Sequence, residues 1–198
     1  MIGMRHVVVA KVATETTGQA LTYSAGMVAA KAIAGNLTWN RNDNPLYADD
    51  SIAENDNGAT GGTLELNVDD LMDAVRAYMM GDEAVTVGTG SAATTEYETT
   101  DQPAPYVGLG YMRVRVKDGA TSYQAVWYHK AQFAENNENA QTKGDTITWQ
   151  TPTLNGRIMG VQNDASGKIR YRRRATFDTA AAAVAWLDAK AGVTAQGG

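Results

Sequence analysis

The stretch from Tyr106 to Phe133, YVGLGYMRVRVKDGATSYQAVWYHKAQF, constrains this chain more than any other. It holds two runs of alternating polarity joined by Lys117-Asp118-Gly119-Ala120, and an Asp-Gly pair supplies the positive φ angles that a tight hairpin turn demands. In the second run Tyr123, Ala125, Trp127, Ala131 and Phe133 share one parity and Ser122, Gln124, Tyr128 and Lys130 the other, the period of a strand with one buried face. His129 breaks the apolar parity. In the first run Gly108, Gly110, Met112, Val114 and Val116 alternate with Arg113 and Arg115, while Leu109 and Tyr111 sit on the arginines' parity and bury part of that face too. The expectation is an antiparallel, mainly β core anchored on this hairpin.

Further strands are expected on either side of it. His6 to Val12 is apolar on both parities and should be covered on both faces. Gly18 to Leu21 turns the chain, and Met27 to Ile33 is a small-residue run open to strand or helix, with strand favoured because Gly26 and Gly35 leave little room for a helix. Leu64, Leu66 and Val68 alternate with Glu65 and Asn67. The period then changes: a helix capped by Asp69 or Asn67, with Leu71, Val75, Tyr78 and Met79 as its apolar face, should stop at Gly81. Ala84 to Val87 and Thr94 to Tyr97 form a hairpin with its tip at Gly88-Thr89-Gly90, and Pro103-Ala104-Pro105 stiffens the approach to the central hairpin. After Phe133 a polar loop leads to a strand at Thr146 to Gln150, and Pro152 confines its neighbourhood to an edge or bulge. Leu154, Ile158 and Val161 continue the strand, and Asn163 to Lys168 turn around Ser166-Gly167. Ile169 to Arg174 is a strand, and Asp178 caps a C-terminal helix, with Val184, Trp186 and Leu187 apolar, that ends at Gly192.

Residues 36–62 read as the least globular part, a long polar loop with an acidic cluster at Asp49, Asp50, Glu54 and Asp56. Loops this long are functional more often than incidental in compact domains. Leu46, Tyr47 and Ile52 have no strand available to bury them, so an exposed apolar tip facing a partner is expected.

The 198 residues suit one domain that buries roughly two thirds of its unfolded surface. The absence of cysteine excludes disulfide stapling and thiolate chemistry. A net charge of −5 argues against tight binding to a nucleic-acid backbone. The apolar run in MIGMRHVVVAKV is too short for a signal peptide, so a soluble chain made in the cytoplasm is expected. The catalytic inventory is poor. The two histidines, His6 and His129, lie in or beside strands, lack metal-ligand spacing, and read as structural. Gly88-x-Gly90 and Gly108-x-Gly110 extend to no phosphate-binding motif, and the second marks a bulge or a close backbone approach. No enzyme activity, metal or cofactor is expected. Arg170, Arg172 and Arg174 share one parity beside Arg173, and such a ladder on an acidic protein suits carboxylates of another subunit.

Several stretches, in order, resemble the major tail proteins, or tail tube proteins, of long, non-contractile-tailed bacteriophages. They are Ile2 to His6 through Lys11-Val12, Leu46-Tyr47-Ala48-Asp49-Asp50, Leu64 to Leu71, Pro105 to Tyr111, Val126-Trp127-Tyr128, and Lys143-Gly144-Asp145 through Gln150 to Gly156. The resemblance covers roughly residues 1–160 and is carried by the joint order of these segments. It leaves the arginine-rich strand and alanine-rich helix of residues 165–192 without a counterpart. It implies an antiparallel β-sandwich or barrel-like domain with a flanking helix, assembling as stacked hexameric rings into a tube through which DNA passes without specific binding. Inter-ring contacts would then come from Pro45, Leu46, Tyr47, Asp49, Asp50 and Ile52. The implied partners are further copies, a tape measure protein and tail terminator or distal tail proteins, and the implied location is the virion tail, with assembly in the host cytoplasm. A carbohydrate- or receptor-binding β-sandwich, stacking ligands on Trp39, Tyr47 and Trp127, is the competing expectation. An enzyme built around His129 is a third.

Overall fold

A computed structural model describes residues 2–48, 51–134 and 151–193. The expected polar loop after Phe133 and strand at Thr146 to Gln150 fall almost wholly outside these residues. The fold is mainly β and antiparallel, with two α-helices among the described residues. Its strands are β1 (Ile2–Thr14), β2 (Thr22–Ala30), β3 (Ala32–Arg41), β4 (Asn44–Ala48), β5 (Ser51–Asp56), β6 (Ala59–Val68), β7 (Glu83–Val87), β8 (Thr94–Glu98), β9 (Val107–Lys117), β10 (Ala120–Ala134), β11 (Thr153–Met159) and β12 (Arg172–Phe177). The helices are α1 (Asp73–Met80) and α2 (Ala180–Ala191). The main sheet runs β2-β1-β9-β10-β11-β6-β3, with β12 also paired to β10; β4-β5 and β7-β8 are separate two-stranded sheets.

The β9–β10 hairpin turns where the Asp-Gly pair requires it. Asp118 and Gly119 have φ of 50° and 77°, the two positive values that match the twist of the flanking strands. From there β10 pairs with β9 on one edge, while its other edge is divided: Tyr123–Tyr128 pair with β12 and Lys130–Ala134 with β11.

Between these halves the β9 register slips, with Tyr128 opposite Leu109 and Ala131 opposite Val107. Three residues span what two span on β9, a bulge at His129-Lys130 that reverses the side-chain parity. The single buried face expected for β10 is therefore corrected. Trp127 and Ala125 pack beneath α2, whereas Ala131 and Phe133, on the same sequence parity, join Val126 and Tyr128 in the opposite layer.

That opposite layer is the larger core. Val7, Val9, Leu109, Tyr128 and Phe133 meet Leu64, Leu66, Leu154 and Ile158 from β6 and β11, with Val75 and Met79 of α1 closing one side. The sheet thus folds over on itself, and β1 is buried on both faces over Val7–Ala10, the centre of its apolar run, with Val8 and Ala10 turned towards α2. Residues 36–62 differ from the expected loop. Strand β3 extends to Arg41 and β6 begins at Ala59, and β4 pairs with β5 between them.

The helix stops are where the glycines place them, with Gly81 at φ 90° and Gly192 at φ 68°. The starts are not. α1 begins at Asp73 without a side-chain cap. Asp69 instead ties the end of β6 to the β2–β3 junction, accepting from the Lys31 N–H and donating its own N–H to the Lys31 carbonyl, and Asn67 bonds Thr153. α2 is capped by Thr179, not Asp178: its hydroxyl oxygen accepts from the Ala182 N–H at 3.3 Å. The buried stripe of α2 is Ala183, Leu187 and Ala191, with Val184 and Trp186 at its flanks. Nor is β11 an edge strand. Pro152 lies just before it and contributes its carbonyl to the Val68 N–H, so no missing donor interrupts the ladder.

Trp127 holds the α2 layer to the sheet. Its indole rests on a glycine floor: a Cβ on Gly108 would lie 2.4 Å from the ring, and one on Gly110 would lie 2.7 Å from both the ring and Leu187. Its N–H donates to the Tyr23 hydroxyl at 3.2 Å, and that hydroxyl donates to the His129 carbonyl at 2.8 Å. Gly110→Ala should therefore lower stability in urea unfolding by about 1–3 kcal/mol, the cost of an unaccommodated methyl in a packed core. A loss below about 0.5 kcal/mol would show that the floor is not close-packed.

Candidate functional site

The described surface offers projecting hairpins and charged strands more than a catalytic cleft. The β7–β8 hairpin leaves the C-terminal end of α1, and all of its strand residues except Val85 are exposed. Among the described residues it pairs only with itself. Its position agrees with the Ala84–Tyr97 hairpin expected from sequence. Among the described residues the strands of the β4–β5 hairpin likewise pair only with each other, with Pro45 opposite Asn55, Leu46 opposite Glu54 and Tyr47 opposite Ile52. Pro45, Leu46, Tyr47 and Ile52 are therefore strand residues of a hairpin that departs from the main sheet just after the Asn42 N–H bonds the Gly58 carbonyl. Asp49 and Asp50 lie outside the described residues.

The arginines diverge in surroundings. Arg170 precedes β12, in an isolated bridge with Val161, and its guanidinium pairs with Asp164 at 2.5 Å. The hydroxyl and backbone N–H of Ser166, then Arg170, hold Asp164 below the usual carboxylate range. Arg172 lies over the Trp39 ring, 4.9 Å from its centroid. Arg174 is exposed on β12 opposite Val126. The strand begins at Arg172 instead of Ile169, because β12 can pair only along the half of β10 that β11 leaves open. Sequence reading missed a wider pattern: Arg113 and Arg115 of β9 lie on the same sheet face as Arg172 and Arg174, which becomes visible only once the β9-β10-β12 register is known.

Both histidines are built into the frame. His6, with φ 54°, sits in a bulge of β1 and its Nε2 meets Asp188 Oδ1 at 2.8 Å, tying β1 to the last turn of α2. His129 is buried, and burial, reinforced by the positive charges of Arg173, Lys190 and Arg170, pushes its imidazole down to about 4. Tyr23, also desolvated, is pushed up to about 12.

Of the aromatics a stacking site would use, Trp127 has no exposed surface and Trp39 stands edge-on to Tyr171 beneath Arg172. A cleft of about 610 Å³ between α1, the 99–104 segment and β11 is lined by Met80, Pro103, Gln132, Phe133 and Arg157 among others, with no histidine or serine among the described residues that line it. Among the described residues no group of three or more acidic, histidine or cysteine side chains could hold a metal ion, and no helix is long and apolar enough to cross a membrane.

No family model and no curated protein matches the chain. The surface geometry itself therefore carries the functional reading: two self-paired hairpins, and strands β2, β3 and β12 each with a single strand partner among the described residues.

The imidazole of His129 has a stability consequence. An unfolded histidine takes up a proton as the pH falls through about 6.5, while the buried one refuses it until about 4. Stability should thus be full above pH 6.5 and fall across the window down to pH 4, by about 3 kcal/mol from this group. His129→Gln should make the pH dependence of the urea midpoint shallower in that window. Identical slopes for the two proteins would contradict a neutral, buried imidazole.

Proposed function

We propose that this chain is a structural subunit that self-assembles into the tube of a long, non-contractile bacteriophage tail, as stacked hexameric rings enclosing a channel for DNA. The single observation that supports this most is the pair of hairpins whose strands, among the described residues, pair only with each other. An isolated two-stranded hairpin is marginal in water and gains its stability from a third strand or a packed face. In a ring-and-tube assembly the neighbouring copies supply that missing surface. The strands with one partner gain in the same way, since an exposed ladder edge is an aggregation hazard until it is paired or covered.

The division of labour follows the chain. The β9–β10 hairpin, α1 and α2 make a subunit that folds alone. The β4–β5 hairpin, which carries Pro45, Leu46, Tyr47 and Ile52, with Asp49 and Asp50 between its strands in sequence, reaches the adjacent ring. The arginines of β12 meet carboxylates within the ring. DNA passes through without specific binding, in keeping with the net charge of −5. The work of the protein is then mechanical and repetitive, with no reaction at any one subunit. A tape measure protein inside the tube and terminator or distal tail proteins at its ends complete the implied set of partners.

Deletion of residues 44–56 tests this reading. It leaves Asp43 and Asn57 as a two-residue link between Asn42 and Gly58, whose backbone hydrogen bond already closes the ladder. The expected product is a folded subunit, with a thermal midpoint within a few degrees of the parent, that no longer elongates in electron micrographs of concentrated protein. An unfolded product would assign the hairpin to the core, and undiminished tubes would remove it from the inter-ring contact.

A further inference from the structure

The register of β7 and β8 sorts their side chains by charge. Glu83 lies opposite Glu98, Val85 opposite Glu96 and Val87 opposite Thr94. Directly paired residues, and those two apart, project to the same side. Glu83, Glu96 and Glu98 therefore share one hairpin face with the two valines, and Ala84, Thr86, Thr95 and Tyr97 take the other. Between Asp82 and Asp101 the chain has five carboxylates and no lysine or arginine. None of the three glutamates forms an ion pair among the described residues. Glu83 directly across from Glu98 disfavours the hairpin unless a cation lies over the pair.

The cationic counterpart is the sheet face shared by β9, β10 and β12. On β9 it carries Leu109, Tyr111, Arg113 and Arg115, and on β10, directly opposite, Tyr128, Val126, Gln124 and Ser122. On β12 it carries Arg172, Arg174 and Thr176. On β9 and β10 the face is buried and apolar at its Leu109–Tyr128 end, and Arg113 and Arg115 carry positive charge at the other end. Arg172 and Arg174 of β12 lie alongside the apolar end, opposite Tyr128 and Val126. Gln124 occupies Arg113, accepting at 2.9 and 2.6 Å, and Trp39 lies under Arg172. Arg115 and Arg174 are exposed and form no ion pair among the described residues. The three strands contain no Asp or Glu.

We propose that the glutamate face of the β7–β8 hairpin docks on the arginine face of a second copy of this chain, with Glu96 and Glu98 meeting Arg115 and Arg174. This rests on the self-assembly reading and names one of its contacts. Each surface carries uncompensated charge of one sign and the two signs are opposite. A second copy is therefore the partner that relieves both at once, whereas a polyanion would relieve only the arginines. The contact is directional, so it joins copies head to tail and closes into a ring when the rotation allows.

The test uses Glu96→Arg/Glu98→Arg, Arg115→Glu/Arg174→Glu, and their equimolar mixture, with circular dichroism and thermal unfolding confirming that each variant folds. Sedimentation velocity should show the critical concentration for assembly raised at least tenfold for either variant alone. It should return close to the parent value in the mixture, where each reversed hairpin finds a reversed face. Assembly of either variant at the parent concentration would overturn the docking, as would a mixture no better than its components. Single-stranded oligonucleotide binding by the parent, lost in Arg115→Glu/Arg174→Glu while assembly persists, would assign the arginine face to a polyanion instead. A parent protein that stays monomeric at every concentration would overturn the self-assembly reading and this contact with it, whereas tubes from all variants would overturn the contact alone.

Discussion

Everything in this fold is arranged around the bulge at His129-Lys130 of β10. Without it, β10 would be a uniform strand with one core face and one other face, and its outer edge could take a single partner. The extra residue lets the first half of β10 present Trp127 to α2 and the second half present Phe133 to the layer made by β6 and β11. It also divides the edge, so that β12 and β11 each hold one half. The bulge is fastened from several sides. Tyr171 accepts the His129 N–H at 3.1 Å, Tyr23 bonds the His129 carbonyl, and Lys130 reaches Glu15 at 2.5 Å while lying over the Tyr106 ring. A neutral, buried imidazole at this point leaves the bulge without an uncompensated charge.

The two layers around β10 are completed by different devices. On the α2 side, small residues admit large ones: Gly108 and Gly110 make room for Trp127, and Gly26 allows the end of α2 to approach until a Cβ there would meet the Ala191 carbonyl. On the other side, α1 is locked by one phenol. The Tyr78 hydroxyl accepts from the Lys11 N–H at 2.6 Å and donates to the Ser24 carbonyl at 3.0 Å, where the β1–β2 ladder is irregular. The helix thus supplies hydrogen bonds that the strands do not make to each other.

Much of this was legible in the residues because it is decided locally. An Asp-Gly pair between alternating runs can do little but turn a hairpin, glycine ends helices, and a strand apolar on both parities must be covered twice. The parts that were not legible are decided at a distance. Asp69 looks like a helix cap until Lys31, far off in sequence, offers its backbone. The parity flip at His129 is visible only as a polar interruption, with nothing to say which face the later residues take. The start of β12 is set by where β11 lets go of β10. Residues 36–62 read as a loop because their strands are polar and pair with segments that no local pattern announces. The arginine and glutamate faces have the same origin: each strand shows its parity, but the charges gather only when register lines the strands up.

The chain has a closed core carrying two hairpins that, among the described residues, pair only with themselves, and the proposal that neighbouring copies cover them is open to direct measurement. Hydrogen–deuterium exchange should be compared between the dilute, unassembled chain and the assembled form. Amides of β4–β5 and β7–β8 should exchange fast in the first and become strongly protected in the second, with β9 and β10 protected in both. Equal protection of both hairpins before and after assembly, or no concentration at which protection changes, would contradict the account.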